Sequence, residues 1–163
     1  MILSEEAYEK IKQATEKFPP ERKRSAAVAA MTIAQDEQGW LSPELMEELA
    51  AFLGMPAAAV QELAGFYSMF NLKPVGKYKI TVCSNVTCEL TGSDLLNKYL
   101  KDKLGIEYGD TTPDGLFTLV EGECMGVCAE GPVMLVNNKK MHTRMTHEKV
   151  DQLLEDLKND VFA

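Results

Sequence analysis

Apolar positions recur with two different periods along this chain, and the change falls near its middle. Before residue 71 the spacing is helical. Ser4, followed by Glu5, Glu6 and Ala7, reads as an N-cap with acidic residues in the first turn, where they meet the positive end of the helix dipole. A helix is predicted from Glu5 to Phe18, stopped by Pro19-Pro20. A second is predicted from Glu21 to Gln38, with Ala27, Met31 and Ala34 on one face and Gly39 after its end. Ser42-Pro43-Glu44 sets a cap before a proline at the first helical position and starts a third helix that ends near Gly54. Pro56 opens a fourth, carrying Val60, Leu63 and Ala64. The first half reads as a small helical bundle, and Asn71-Leu72-Lys73-Pro74-Val75-Gly76 as a linker.

Beyond the linker, Tyr78-Lys79-Ile80-Thr81-Val82-Cys83 alternates as a strand does. A helix follows from about Asp94 to Leu104, with Leu95, Leu96, Tyr99 and Leu100 apolar and Gly105 as its stop. Pro113-Asp114-Gly115 is a turn, and Leu116 to Glu121 a second strand. Pro132 to Val136 is a third strand, and Asn137-Asn138 turns into a short fourth around Met141 to Thr143. A last helix runs from about Thr146 to Lys158, with Val150, Leu153, Leu154 and Leu157 on its buried face. The order β-α-β-β-β-α predicts a small sheet with helices packed on it, in the α/β or α+β class.

Composition narrows the chemistry. The 163 residues suit one domain or two small ones. The net charge of −8, from 17 basic and 25 acidic residues, argues against nucleic acid or an anionic membrane as a partner, since phosphate contacts need clustered Lys and Arg. Met1 to Lys10 carries Glu5, Glu6 and Glu9 and does not read as a signal peptide. Ala26 to Ala34 is too short to span a bilayer. A cytoplasmic location is therefore expected, where thiols stay reduced and four cysteines point to metal rather than disulfides.

All four cysteines lie in the second half, as Cys83-x4-Cys88, 35 intervening residues, then Cys124-x3-Cys128. Cys83 ends a predicted strand, with Cys88 in the loop after it. Cys124 follows the next stretch of sheet, and Cys128 precedes Gly131-Pro132. Two loops at one end of a sheet would then face each other, each offering two thiolates. A 2Fe–2S cluster needs two thiolates on each iron, so one pair would hold each iron. Gly126 and Gly131 would let backbone N–H groups come close to the sulfurs of an anionic cluster, by small size or by a positive φ. Structural zinc also takes four thiolates, usually in pairs of shorter spacing, and stays open on these residues. C-x-x-C, the mark of a redox dithiol, is absent.

Other residues are read conservatively. His142 and His147, the only histidines, are expected at the surface. Trp40 is expected to pack at a helix end. The run Phe66, Tyr67, Met69, Phe70 suits either interdomain core or a docking face. No G-x-G-x-x-G loop occurs, so no dinucleotide or substrate site is expected.

The cysteine segments Cys83-Ser84-Asn85-Val86-Thr87-Cys88 and Cys124-Met125-Gly126-Val127-Cys128 carry a family resemblance. So do Gly76, Thr111-Thr112-Pro113-Asp114-Gly115 and Gly131-Pro132, with Gly39-Trp40, Gly65-Phe66-Tyr67-Ser68-Met69-Phe70 and Pro74 in the first half. Together they resemble the small 2Fe–2S subunit of NADH:quinone oxidoreductase, respiratory complex I, from about Phe18 to Leu157. Subunits of NAD-reducing hydrogenases and NAD-dependent formate dehydrogenases share the pattern. The resemblance implies a helical bundle over residues 1–74 and a thioredoxin-like domain over 75–163. It implies one 2Fe–2S cluster on Cys83, Cys88, Cys124 and Cys128, and a non-catalytic, electron-carrying role beside a partner subunit that binds flavin (FMN) and NADH. The complex would hold the chain at the inner membrane from the cytoplasmic side. The family commonly has Leu and Ala where Met125 and Val127 stand here, apolar exchanges that leave ligation intact. A zinc-stabilised adaptor and a free-standing ferredoxin are the competing functions.

Overall fold

The computed structural model describes residues 2–161; Met1, Phe162 and Ala163, at the outer ends of the two expected domains, lie outside them. The chain divides into two compact units, Met1–Pro74 and Val75–Ala163.

The first unit is helical. Helix α1, Glu5–Thr15, begins where Ser4 Oγ accepts from the Ala7 N–H. Helix α2 is Ala27–Gln38, α3 is Pro43–Leu53 and α4 is Ala57–Phe66. Ile11, Ala30, Met31, Leu45, Leu49 and Val60 are buried in one core. Burying each of the larger side chains contributes on the order of 1.5–3 kcal/mol. Two predicted boundaries shift. The first helix ends at Thr15, before Phe18. The second begins at Ala27, because 20–26 forms a 3-10 segment with Arg22 off helical geometry at φ −119°. Residues 21–25 are all exposed, so no apolar face holds them in an α-helix until Ala26.

The second unit is a mixed four-stranded sheet with helices. Strand β1, Tyr78–Cys83, pairs in parallel with β2, Phe117–Gly122, and antiparallel with β3, Met134–Val136, which pairs with β4, Lys140–His142. The strand order is β2-β1-β3-β4. A short helix α5, Val86–Glu89, and the long α6, Ser93–Leu104, connect β1 to β2. Helix α7, His147–Lys158, follows β4. Tyr78, Ile80 and Val82 alternate along β1 and join Phe117, Leu119, Met134 and Val136 on one face. Leu96 and Leu100 of α6 and Val150, Leu153, Leu154 and Leu157 of α7 pack into that same core. This is the mixed α/β class that the element order predicts. The third strand starts two residues later than predicted, at Met134, and the fourth one residue earlier, at Lys140.

Candidate metal centre

The site is made by chain direction. Because β1 and β2 run parallel, their C-terminal ends lie at one edge of the sheet, where ligands of open α/β sheets bind. Cys83 is the last residue of β1 and lies in register with Gly122, two residues before Cys124. The chain returns to the same edge before β3. There the Cys83 N–H donates to the Val133 carbonyl at 3.0 Å, and the Ser84 N–H to the Gly122 carbonyl at 3.1 Å. Both cysteine segments are thus tied by backbone hydrogen bonds to the end of the central strand.

Within this frame the two pairs differ. Cys83 and Cys88 are buried and pack with Val133, Met125 and Val127. Cys88 is carried on α5 and not in an open loop, as its position after the strand suggested. Cys124 is exposed and Cys128 half-buried, with their sulfurs 3.9 Å apart. None of the four forms a disulfide. Burial pushes the Cys88 thiol up to about 11, helped by the hydrogen bond and charge of Cys83 and by Cys128, against the Val133 backbone N–H. The first pair packs directly on Met125 and Val127, the residues between Cys124 and Gly126 and between Gly126 and Cys128. Iron must displace the Cys88 proton, so loading is coupled to proton release. Among the described residues no three His, Cys, Asp or Glu side chains surround a single-ion position.

The donor set fits a 2Fe–2S cluster. Four thiols come as two pairs, and backbone N–H groups point at two of the sulfurs: Gly126 donates to Cys124 Sγ at 3.4 Å, and Val133 to Cys88. Such donors stabilise thiolate and cluster charge. Gly126 has φ +76°, a left-handed conformation that side chains rarely adopt. Gly131 works by size instead: its φ is −64°, and a Cβ there would come 2.5 Å from Thr91 Oγ1 and 3.5 Å from Cys88 Sγ. Thr91, which also donates to the Cys88 carbonyl at 2.9 Å, thus braces the first cysteine segment against the second. No pattern in the sequence singles out Thr91, since its role exists only once the two segments meet.

The remaining candidates fall elsewhere. His147 is exposed and stacked on Tyr99 at 4.1 Å between ring centroids. His142 is half-buried, not a surface residue, because β4 is held along β3 through the Met134↔His142 pair. Trp40 is half-buried just after the end of α2. The aromatic run divides: Phe70 and Met69 join the core of the helical unit, while Phe66 is 80% and Tyr67 39% exposed.

A profile of the thioredoxin-like [2Fe-2S] ferredoxin family matches residues 11–158. An NADH-quinone oxidoreductase subunit of Rickettsia bellii is 43% identical over 145 residues, 88% of this chain and 86% of that protein. An NADH-quinone oxidoreductase subunit of Thermus thermophilus is 39% identical over 142 residues, 87% and 78% of the two chains. Among solved structures, a chain of an NAD+-reducing [NiFe]-hydrogenase in the air-oxidized state superposes with a TM-score of 0.72 at 23% identity, covering 83% of this chain and 23% of that one. That likeness speaks to the fold. With the family profile spanning both units and relatives aligned over most of their length, the chain belongs to the thioredoxin-like [2Fe-2S] ferredoxin family, and its cofactor is one 2Fe–2S cluster.

Proposed function

We propose that this protein is the electron-carrying subunit of the NADH-oxidising module of an NADH:quinone oxidoreductase, with its cluster held by Cys83, Cys88, Cys124 and Cys128. The observation that carries this reading is the meeting of the two cysteine segments at the end of β1, where Met125 and Val127 pack on Cys83 and Cys88 and the Ser84 N–H donates to the Gly122 carbonyl. When bound, the cluster supplies a one-electron acceptor and donor. The protein's own residues shape the site around it. Cys83 and Cys88 bury one side, Cys124 leaves the other open, and Gly126 and Val133 direct N–H groups to the sulfurs.

The chain performs no chemistry on NADH itself. Its electron comes from flavin on a partner subunit, FMN in an NADH-binding protein. The helical unit serves mainly to dock on that partner. The parent complex is read from the relatives at 39% and 43% identity, which are by name subunits of NADH-quinone oxidoreductases. An NAD-reducing hydrogenase is the second reading, on the strength of the shared fold. Among the described residues no single helix is long and apolar enough to cross a membrane. Attachment at the inner membrane is proposed to run through the complex.

Purified protein should contain two irons and two labile sulfides and give an S = ½ EPR signal after one-electron reduction. Stoichiometric zinc without sulfide would establish the adaptor reading instead. Serine at any one of the four cysteines should lower iron and sulfide content, because each thiolate is a quarter of the ligand set. NADH should reduce the cluster only when the flavin subunit is added; reduction without it would contradict the division of labour.

A further inference from the structure

The helix that carries Cys88 has a second face. Cys88 is buried, but Val86 is 64% exposed, and Leu90, at the C-terminal cap, is 84% exposed. The Leu90 N–H donates to the Val86 carbonyl, so the two share one face of the turn. Cys88 lies between them, about 200° round the helix. Leu95, in the first turn of α6, is 64% exposed. Exposed apolar residues scattered singly need no explanation, but these three fall within a ten-residue stretch beside a cluster ligand.

The charge around them is mainly acidic, with Lys98, exposed one turn after Leu95 on α6, as the basic residue nearest in sequence. Residues 80–97 and 104–138 contain no Lys or Arg, so all 17 basic residues lie outside the two cysteine segments. Glu89 and Asp94 are exposed among the apolar three, and Glu121 and Glu123 are exposed before Cys124. Arg144 approaches this end of the sheet by lying 3.9 Å from Glu130. Apolar centre, acidic residues beside it and buried cysteine behind it are the parts of a redox docking face.

We infer that the outer face of α5 with the start of α6 is the surface on which the ferredoxin unit receives its redox partner, a protein presenting an apolar patch rimmed by Lys and Arg. The inference rests on the proposed function, and takes that partner to be the flavin-bearing subunit. Opposite charge steers and orients the encounter, while desolvated apolar contact slows dissociation. A partner seated on Val86 and Leu90 stands about one helix diameter, roughly 10 Å, from the Cys88 side of the cluster site. Docking strength and electron path are thereby joined in one element.

The test uses full-length holoprotein and the isolated NADH-oxidising flavin subunit. Leu90→Gln and Leu95→Gln should each weaken binding by up to about tenfold, the loss of an interface anchor. Glu89→Lys with Asp94→Lys should slow association and flatten its dependence on salt. Visible and EPR spectra should stay those of the unmodified protein. Met141→Gln, exposed on β4, is the control and should bind normally. Leu95 lies outside the ligand helix, so its variant keeps the test valid if Leu90→Gln disturbs the cluster. Normal binding by variants with intact clusters would overturn the inference and leave the proposed function standing. So would an effect confined to self-association of this chain, which would assign the face to a second copy. If the unmodified protein does not bind the flavin subunit, the proposed function fails first.

Discussion

Gly126 has a left-handed conformation that most side chains adopt only with strain, and it does so between two cysteines. Its φ of +76° turns its N–H onto Cys124 Sγ at 3.4 Å. Replacing it with Ala should cost about 1–2 kcal/mol, the penalty of a side chain in left-handed backbone. The variant should lose its cluster faster than the parent under chelator, measured by visible absorbance; equal rates would mean the turn carries no ligand constraint. His142 acts through burial. Its half-buried position, and secondarily the charge of Lys140, hold its pKa below the ordinary 6.5. The unfolded chain therefore binds a proton at higher pH than the folded one, and folding is disfavoured as pH falls through 6.5 toward the lowered value. Above 6.5 both states are neutral at this position and the effect vanishes. Melting temperatures measured from pH 8 to 5.5 should fall on the acid side in the parent and fall less in His142→Gln. The His142→Gln spectrum should match the parent's, as histidine is not among the proposed ligands.

Elements decide which of these residues meet. Helix α6 carries the crossover between the parallel strands and buries Leu96 and Leu100 against the sheet, which brings the ends of β1 and β2 to one edge. Leu100 is fully buried, and Leu100→Ala should cost about 2–5 kcal/mol through lost transfer energy and a residual cavity. Denaturant unfolding followed by both circular dichroism and cluster absorbance should show the two signals shifting together. A shift in the first alone would separate the site from the sheet. Most elements are legible as patterns: the caps at Ser4 and Ser42, the alternation of Tyr78 to Cys83 and the face of Val150, Leu153, Leu154 and Leu157 all form as predicted. Helix α5 is not legible, because four residues are too few for a helical period and Val86 and Leu90 face outward. The stretch before Ala27 misleads for the opposite reason: its composition suits a helix, but nothing in it packs.

At the scale of the molecule, each unit has its own core. Ile11, Met31, Leu45, Leu49 and Val60 belong to one, and Ile80, Leu100, Phe117, Leu119 and Leu157 to the other. A fragment of residues 75–163 should therefore assemble the cluster and keep its EPR signal, while binding the flavin subunit much more weakly than the full chain. A pull-down of both, with cluster content measured in parallel, checks this; equal binding would remove the docking role of the helical unit, and an empty fragment would make that unit part of the cluster domain's stability. The sequence by itself determined the pairing along the chain of the cysteines proposed as ligands, the helical and sheet halves and the acidic character of the cysteine segments, because these are local properties of composition, period and spacing. Tertiary structure alone decided that Cys83 and Gly122 lie side by side, that Gly131 presses on Thr91 and Cys88, that Cys124 stays open while Cys88 is buried, and that Leu90 is left facing solvent. Each of these depends on the parallel pairing of β1 with β2 across the intervening helices, a contact between distant residues whose register no local pattern encodes.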